Sequence, residues 1–158
     1  MTDSQPIVSI IIPHWNGIDV LSECIESLKK STLPSFEIIV SDNASSDGSQ
    51  AWIKENHPDI ILLENDQNYG YAGGCNYGSD IAKGEFLLFL NNDTIQNPNW
   101  LQPLVDRMKS DESIAALQPK ILNYYNRKIF DYAGGSGGHL DLFCFPFARG
   151  RVFLEQEK

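Results

Sequence analysis

Three consecutive side chains that carry oxygen, Asn91, Asn92 and Asp93, directly follow an apolar run at residues 86–90. A carboxylate flanked by amides offers the oxygen ligands that a hard divalent cation uses when it holds a phosphate. The same residue types are common in turns, because Asn and Asp hydrogen-bond to nearby backbone groups. The segment therefore indicates either a metal and phosphate site or a polar loop that leaves the core.

Two further segments carry residue types that suit a nucleotide. Asp42 directly follows an apolar run, where its carboxylate could accept a hydrogen bond from a base N–H, or could instead cap the next turn. Asp47 is the better candidate for that capping role. Residues 68–76 are glycine-rich at the start of a predicted helix, so backbone N–H groups could approach a pyrophosphate there. Close helix packing through glycines 73 and 74 is the alternative.

These segments need a scaffold that brings them together. Apolar runs predict four strands, at residues 7–12, 36–40, 60–63 and 86–90. Helical spacing and start signals predict four helices, at residues 21–28, 49–56, 72–82 and from Asn97–Pro98 onward, and residues 114–117 suggest a short fifth strand. Alternation of strands and helices with short loops predicts an α/β fold with a mostly parallel, doubly wound sheet and helices on both faces.

The sheet topology decides whether the polar segments share one site. If all strands run parallel, the loops at residues 13–17, 42–48, 65–71 and 91–94 emerge at the same edge of the sheet, where α/β proteins bind ligands. The run at residues 86–90 shows no polar alternation and predicts a strand buried on both faces.

Composition narrows the class of protein. The 158 residues carry a formal net charge of −9, which argues against nucleic-acid binding and means that an anionic ligand needs a metal or backbone N–H groups. Three distant cysteines argue against disulfides and a structural zinc site, and Cys24 falls on the apolar face of a helix. The lone histidines His14 and His57 are interpreted as loop or surface residues. The pairing of His139 with Cys144 gives no sign of an activated thiol.

Four motifs in order resemble the inverting family 2 glycosyltransferases, and in particular their rhamnosyltransferase-like branch. They are residues 8–16 (VSIIIPHWN), 40–49 (VSDNASSDGS), 68–76 (NYGYAGGCN) and 89–93 (FLNND). The resemblance extends over about residues 7–121 and implies the GT-A nucleotide-sugar fold, with residues 1–158 as a single domain whose acceptor-side part is incomplete. Residues 147–150 also resemble that branch, with less weight.

The resemblance implies a role for each matching position. Asp42 would bind the base through its N3–H, and Asp93 would bind a divalent cation, Mg²⁺ or Mn²⁺. The residues implied to line the nucleotide-sugar site are Pro13, Trp15, Asn16, Asp42, Asn43, Asn68, Gly70, Tyr71, Gly73, Asn76, Asn91 and Asn92. Asn91 stands where the family's DxD motif has its first acidic residue, so we expect weak or water-rich metal binding.

The family also implies a reaction and its participants. The donor would be a dTDP- or UDP-sugar, with rhamnose as one candidate sugar, and the acceptor a saccharide or a lipid-linked saccharide in cell-surface polysaccharide synthesis. The family's general base lies downstream of the DxD motif, and no matching segment occurs before Lys158. We therefore expect a donor-binding part that is inactive or weak alone, and whose uncovered C-terminal part could drive self-association.

The N-terminal composition and the length of the apolar runs indicate where the protein acts. A polar, acidic N-terminus and the lack of an apolar run of about 20 residues predict a cytoplasmic protein, either free or peripheral at the inner face of the membrane. One alternative function is a non-catalytic module that binds nucleotide sugars. The other, a nucleotidyltransferase, is disfavoured because residues 13–17 contain no Lys or Arg to hold a triphosphate.

Overall fold

The computed structural model describes residues 5–131 and the backbone of residues 138–140, 146–148, 151–152 and 155–156. The chain divides into two compact units, Met1–Gln102 and Pro103–Lys158. Cys144, the side chain of His139 and, in the motif at residues 147–150, all side chains and the backbone of residues 149–150 lie outside the described part of the chain. No helix in the described part of the chain is long and apolar enough to cross a membrane.

The first unit is built on a four-stranded parallel sheet. Its strands are β1 (Val8–His14), β2 (Phe36–Asp42), β3 (Ile61–Glu64) and β4 (Phe86–Phe89), in the spatial order β3-β2-β1-β4. All three neighbouring pairs run parallel. The predicted α/β class and parallel sheet are thereby confirmed, and each strand lies within about two residues of its predicted bounds.

Four helices connect and follow these strands. They are α1 (Ile18–Leu28), α2 (Ser49–Asn56), α3 (Gly70–Ile81) and α4 (Leu101–Lys109). The apolar residues that predicted α1, namely Leu21, Cys24, Ile25 and Leu28, are buried as expected. Burial raises the pKa of the Cys24 thiol to about 11, so it stays neutral in the core.

The predicted start of the last helix is wrong by three residues. Residues 97–100 form a turn in which Trp100 N–H donates to the Asn97 carbonyl at 3.0 Å. The Pro98 carbonyl accepts from Thr32 N–H at 2.9 Å, which ties this turn to the segment after α1. The helix begins at Leu101.

Strand β4 departs from the prediction that both its faces are buried. Leu87 and Phe89 are 47% and 48% exposed, while Phe86 and Leu88 are half-buried. In the described part of the chain β4 lies at the edge of the sheet and pairs only with β1. An apolar run without alternation therefore did not guarantee burial of both faces, because apolar residues also occur on exposed faces.

The second unit contains short antiparallel pairs. Strand β5 (Gly138–Leu140) pairs with β6 (Pro146–Ala148), and β7 (Arg151–Val152) pairs with β8 (Glu155–Gln156). The short strand predicted at residues 114–117 does not form. This segment follows a turn in which Ile114 N–H donates to the Asp111 carbonyl. It is mostly exposed, and a short apolar run of this kind is stable as a strand only when it is buried in a sheet.

The parallel sheet brings the four polar segments to one edge, as predicted. Chain order reverses beside β1, because β2 and β3 extend to one side and β4 lies on the other. In open α/β sheets, ligands bind beyond the carboxyl ends of the strands at such a reversal. The carboxyl ends of β1 and β4, at His14 and Phe89, mark this point.

Candidate functional site

Asp42, the last residue of β2, is a fully buried carboxylate. Its Oδ2 accepts from Ser45 N–H at 2.9 Å and from the Gln50 side-chain amide at 2.6 Å. Its Oδ1 is buried and has no hydrogen-bond partner among the residues that the structure describes. Leaving a buried acceptor unpaired costs about 1–3 kcal/mol, more for a charged group. A donor from outside the described residues would therefore stabilise this atom.

The loop after β1 is tied to the loop after β2. Asn16 N–H donates to Ser45 Oγ at 2.9 Å, and Asn16 Oδ1 accepts from Ser46 N–H at 2.9 Å. Asn16 and Ala44 adopt left-handed backbone conformations, with φ of 58° and 57°. Such conformations disfavour residues other than glycine and concentrate at ligand-binding sites. Both strained residues flank Asp42 at the carboxyl edge.

Asp47 braces the same region from the surface. Its Oδ1 accepts from Ser49 N–H at 3.0 Å at the start of α2, and its Oδ2 accepts from Gly17 N–H at 2.6 Å. Desolvation raises the pKa of the Asp47 carboxyl, but these hydrogen bonds outweigh it and lower the pKa overall. Asp47 thus has the capping role assigned to it from the sequence.

The predicted position of His14, in a loop or at the surface, is wrong. His14 is the last residue of β1 and only 1% exposed, not a loop or surface residue. Its Nε2 lies 2.9 Å from Ser49 Oγ, and its Nδ1 lies 3.0 Å from the Asn92 side-chain nitrogen. Burial lowers the pKa of His14, while the nearby Asp42 and Asp47 partly oppose this shift. The ring therefore links the loops that follow β2 and β4.

His57 lies in the loop after α2, as predicted, but it is buried and not at the surface. It follows α2, is 6% exposed and makes an edge-to-face contact with Trp52, with ring centroids 4.8 Å apart. Burial and the neighbouring Lys29 lower its pKa, and Glu26 and Asp59 oppose this effect. Its contacts lie in the α1 and α2 region, apart from the loop after β4.

The glycine-rich start of α3 packs closely on the sheet. A Cβ added to Gly74 would lie 2.9 Å from Pro13 Cβ, and one added to Gly73 would lie 2.5 Å from Tyr69 Cβ. The packing explanation therefore accounts for both glycines. Asn43 fixes the helix start, because its Nδ2 donates to the Gly70 carbonyl at 3.1 Å while its Oδ1 accepts from Asn65 at 3.1 Å.

The loop after β4 combines a braced backbone with exposed side chains. The Asn91 carbonyl accepts from Thr94 Oγ at 2.8 Å, and Thr94 Oγ accepts from the Gln96 side chain at 2.7 Å. Asn91 and Asp93 are exposed, whereas Asn92 is partly buried against His14. Asp93 makes no hydrogen bond or ion pair with the residues that the structure describes, so both of its oxygens are available to a ligand.

The side chains of this loop can hold a divalent cation only if a bound ligand supplies further donor atoms. Among the described residues, no cluster of three or more His, Cys, Asp or Glu side chains could hold a metal alone. Mg²⁺ typically binds through one or two carboxylates together with substrate phosphates and water. One available carboxylate at Asp93, flanked by amides, matches that smaller donor set.

The structure connects some of the predicted site residues and leaves others apart. Hydrogen bonds that link the strand ends and their loops involve Asn16, Asn43, Gly70 and Asn92, and Pro13 lies in β1 beside Gly74. Trp15, Asn68, Tyr71, Asn91 and Asp93 are exposed in or next to these loops, and Asn76 is exposed farther along α3. Burial raises the pKa of Tyr71 to about 12, the nearby Cys75 contributing.

Sequence reasoning missed His14, Ser49 and Gln50. The signal available for His14 was its place at the end of an apolar strand, where a polar residue faces the ligand edge. Gln50 carried no such signal, because it lies in the first turn of α2 and reaches Asp42 only through the fold.

Comparisons with known proteins agree with this architecture. The glycosyl transferase family 2 sequence model matches residues 9–136. A poly(ribitol-phosphate) beta-glucosyltransferase from Bacillus spizizenii is 37% identical over 92 residues, covering 54% of this chain and 14% of that protein. The chain spans about half the length, or less, of the first curated relatives it matches.

Two solved structures share the fold. A mannosyltransferase from Pyrobaculum calidifontis, in complex with GDP-Man and Mn²⁺, has a TM-score of 0.61 and 24% identity, over 75% of this chain and 34% of that one. Residues 1–349 of TarS from S. aureus, in complex with UDP, have a TM-score of 0.60 and 21% identity, over 73% and 39%. These neighbours are GT-A glycosyltransferases, and the family match covers most of this chain. The chain therefore belongs to glycosyl transferase family 2 and has the GT-A fold.

Proposed function

We propose that this chain binds a nucleoside-diphosphate sugar together with Mg²⁺ or Mn²⁺ and serves as the donor-binding part of an inverting hexosyltransferase. The observation that carries the proposal is the buried Oδ1 of Asp42 at the carboxyl edge of the sheet, which has no hydrogen-bond partner in the described part of the chain. The solved neighbours complexed with GDP-Man and with UDP support a nucleotide at this edge.

The unpaired oxygen limits the bases that fit. Uracil and thymine present N3–H, and guanine presents N1–H, whereas adenine and cytosine carry an acceptor nitrogen at that ring position. A carboxylate oxygen accepts from the first group and repels the second. Because Asp42 Oδ1 is shielded from solvent, base binding requires the side chains or backbone that cover this atom to move.

Asp42 and Asp93 have different roles in the proposed sugar transfer. Asp42 binds the base, and the exposed Asp93 with its flanking amides holds the metal that accompanies the diphosphate. When bound, the cation stabilises the negative charge that grows on the diphosphate as the sugar–phosphate bond breaks. Deprotonation of the acceptor hydroxyl needs a separate general base, which we place on the acceptor side of the enzyme.

The finer assignments follow the family resemblance. We propose a dTDP- or UDP-linked sugar as donor, with rhamnose as a candidate, and a saccharide or lipid-linked saccharide as acceptor. The poly(ribitol-phosphate) glucosyltransferase relative supports a role in cell-surface polymer synthesis. We also propose a cytoplasmic site of action at the inner face of the membrane, weak transfer by the isolated chain, and self-association through its C-terminal part.

Calorimetric titration with a panel of nucleotides tests the donor-binding role. UDP, dTDP and GDP, each in Mn²⁺ and in EDTA, are compared with ADP and CDP. We expect binding of at least one of the first three, tighter in Mn²⁺ than in EDTA, and weaker binding of ADP and CDP. Absence of binding across the whole panel would refute the proposal.

A further inference from the structure

His14 joins the two halves of the proposed nucleotide site. It lies at the end of β1, at the point where chain order reverses between β2 and β4. One ring nitrogen contacts Ser49 at the start of α2, and the other contacts Asn92, next to the carboxylate of Asp93. At 1% exposure, the ring has almost no contact with solvent.

The hydrogen-bond chain fixes which nitrogen carries the proton. Ser49 Oγ donates its single proton to Asp47 Oδ1 at 2.5 Å, so it can only accept from His14. His14 Nε2 therefore carries the proton and donates to Ser49 Oγ. In the neutral ring Nδ1 is then an acceptor, and it receives the Asn92 side-chain N–H. Each member of the chain has a matching partner.

This arrangement leaves Asn92 with one defined orientation. Its amide nitrogen is held by His14, so its oxygen points away from the ring. The other braces of the loop do not touch the Asn92 or Asp93 side chains, because Thr94 Oγ donates to the Asn91 carbonyl and Gln96 in turn donates to Thr94 Oγ. Within the described residues, His14 thus provides the side-chain contact that holds the middle of the Asn91–Asn92–Asp93 segment.

We propose that His14 is a positioning residue, which holds Asn92 and thereby sets the segment around Asp93 to receive the metal-bound diphosphate. The proposal rests on the proposed donor-binding function. Groups that orient a metal site from behind typically change metal affinity by about 10–100-fold when removed. A purely structural histidine would instead affect binding equally with and without metal.

Two substitutions separate the two contacts of the ring. An Asn amide can occupy the place of Nδ1, so His14→Asn retains an acceptor for Asn92 and loses the Ser49 contact. A Gln amide can reach the place of Nε2, so His14→Gln retains the Ser49 contact and loses the contact with Asn92. Asn92→Ala removes the same contact from the loop side and leaves the strand untouched.

The readout is the ratio of UDP affinities in Mn²⁺ and in EDTA, measured by calorimetry. We expect His14→Gln and Asn92→Ala to reduce this ratio by about tenfold, and His14→Asn to keep it near the wild-type value. The double variant His14→Gln with Asn92→Ala should lose no more than either single variant. His57→Asn and His57→Gln, at a buried histidine away from the site, serve as matched controls and should leave the ratio unchanged.

Three results would overturn the proposal. One is an equal ratio of UDP affinities in Mn²⁺ and in EDTA for wild type, His14→Gln and Asn92→Ala. If the His14 variants do not fold, the ratio in Asn92→Ala alone tests the proposal. The second is a ring proton on Nδ1 of His14 in ¹H–¹⁵N spectra of the wild type. The third is a wild-type UDP affinity that is the same with and without Mn²⁺, which would also refute metal binding by Asp93. Metal-enhanced binding in wild type with no effect of the variants would remove this inference alone.

Discussion

The two ends of the candidate site are built in opposite ways. Asp42 is buried and hydrogen-bonded through one oxygen, and its other oxygen has no partner within residues 5–131. Around Asp93 the backbone is braced, but the carboxylate is exposed and has no partner among the described residues. The base end is therefore organised by the protein, whereas the diphosphate end is completed by its ligands.

This contrast has an electrostatic reason. A nucleobase is neutral, and a buried acceptor can select it by the position of its N–H groups. A diphosphate is an anion in a protein of formal charge −9, so the protein alone offers it little attraction. A cation that arrives with the diphosphate reverses the local sign of charge, and a single exposed carboxylate is enough to help hold it.

The largest effect is expected at the base end. Asp42→Asn replaces an acceptor with a group that can present N–H to the base, and we expect about 100-fold weaker UDP binding in both Mn²⁺ and EDTA. Calorimetry measures the change, and Asp59→Asn, at an exposed aspartate that pairs with Lys29, is the control. Affinity close to wild type in Asp42→Asn would show that this carboxylate does not contact the base.

A smaller and more selective effect is expected at the diphosphate end. Asp93→Asn should weaken UDP binding by about tenfold in Mn²⁺ and leave binding in EDTA unchanged, because the carboxylate acts only through the cation. Asp80→Asn, at an exposed aspartate of α3, controls for the loss of one negative charge. Equal losses in Mn²⁺ and in EDTA would place Asp93 against the nucleotide itself.

Close packing distinguishes the base end further. Gly74→Ala would bring a Cβ to 2.9 Å from Pro13, and Gly78→Ala would bring one to 2.5 Å from Ile11 Cγ2. Overpacking of this kind costs about 1–3 kcal/mol, so thermal melts should show both variants destabilised. UDP affinity should fall in Gly74→Ala only, because Gly78 contacts the core and not the site. Loss of affinity in both would mean that helix position as a whole controls binding.

The sequence predicted the framework well and its local contacts poorly. Apolar runs located all four parallel strands, and their shared direction placed Asp42 and Asp93 at one edge. Exposure of Leu87 and Phe89 was not predictable, because composition does not reveal what covers a sheet face. The roles of His14 and Gln50 depend on neighbours 78 and 8 residues away in sequence, which no local pattern encodes.

The smallest effect concerns pH. Burial lowers the pKa of His14 and of His57 below the unfolded value of about 6.5, so the unfolded chain binds more protons as pH falls through that value. The free energy of unfolding should therefore decrease from pH 7 to pH 5. Urea denaturation of wild type and His57→Asn measures this slope, which should be shallower in the variant. An identical slope in both would show that His57 contributes nothing to it.

The most direct test of the account is the place where the metal binds. Mn²⁺ broadens the amide signals of nearby residues in ¹⁵N-labelled protein, and it can be titrated in the presence of UDP. We predict that broadening centres on residues 91–94, with UDP-induced shifts at residues 42–46. Broadening that requires no UDP, or that centres elsewhere on the acidic surface, would contradict a site shared by Asp42 and Asp93.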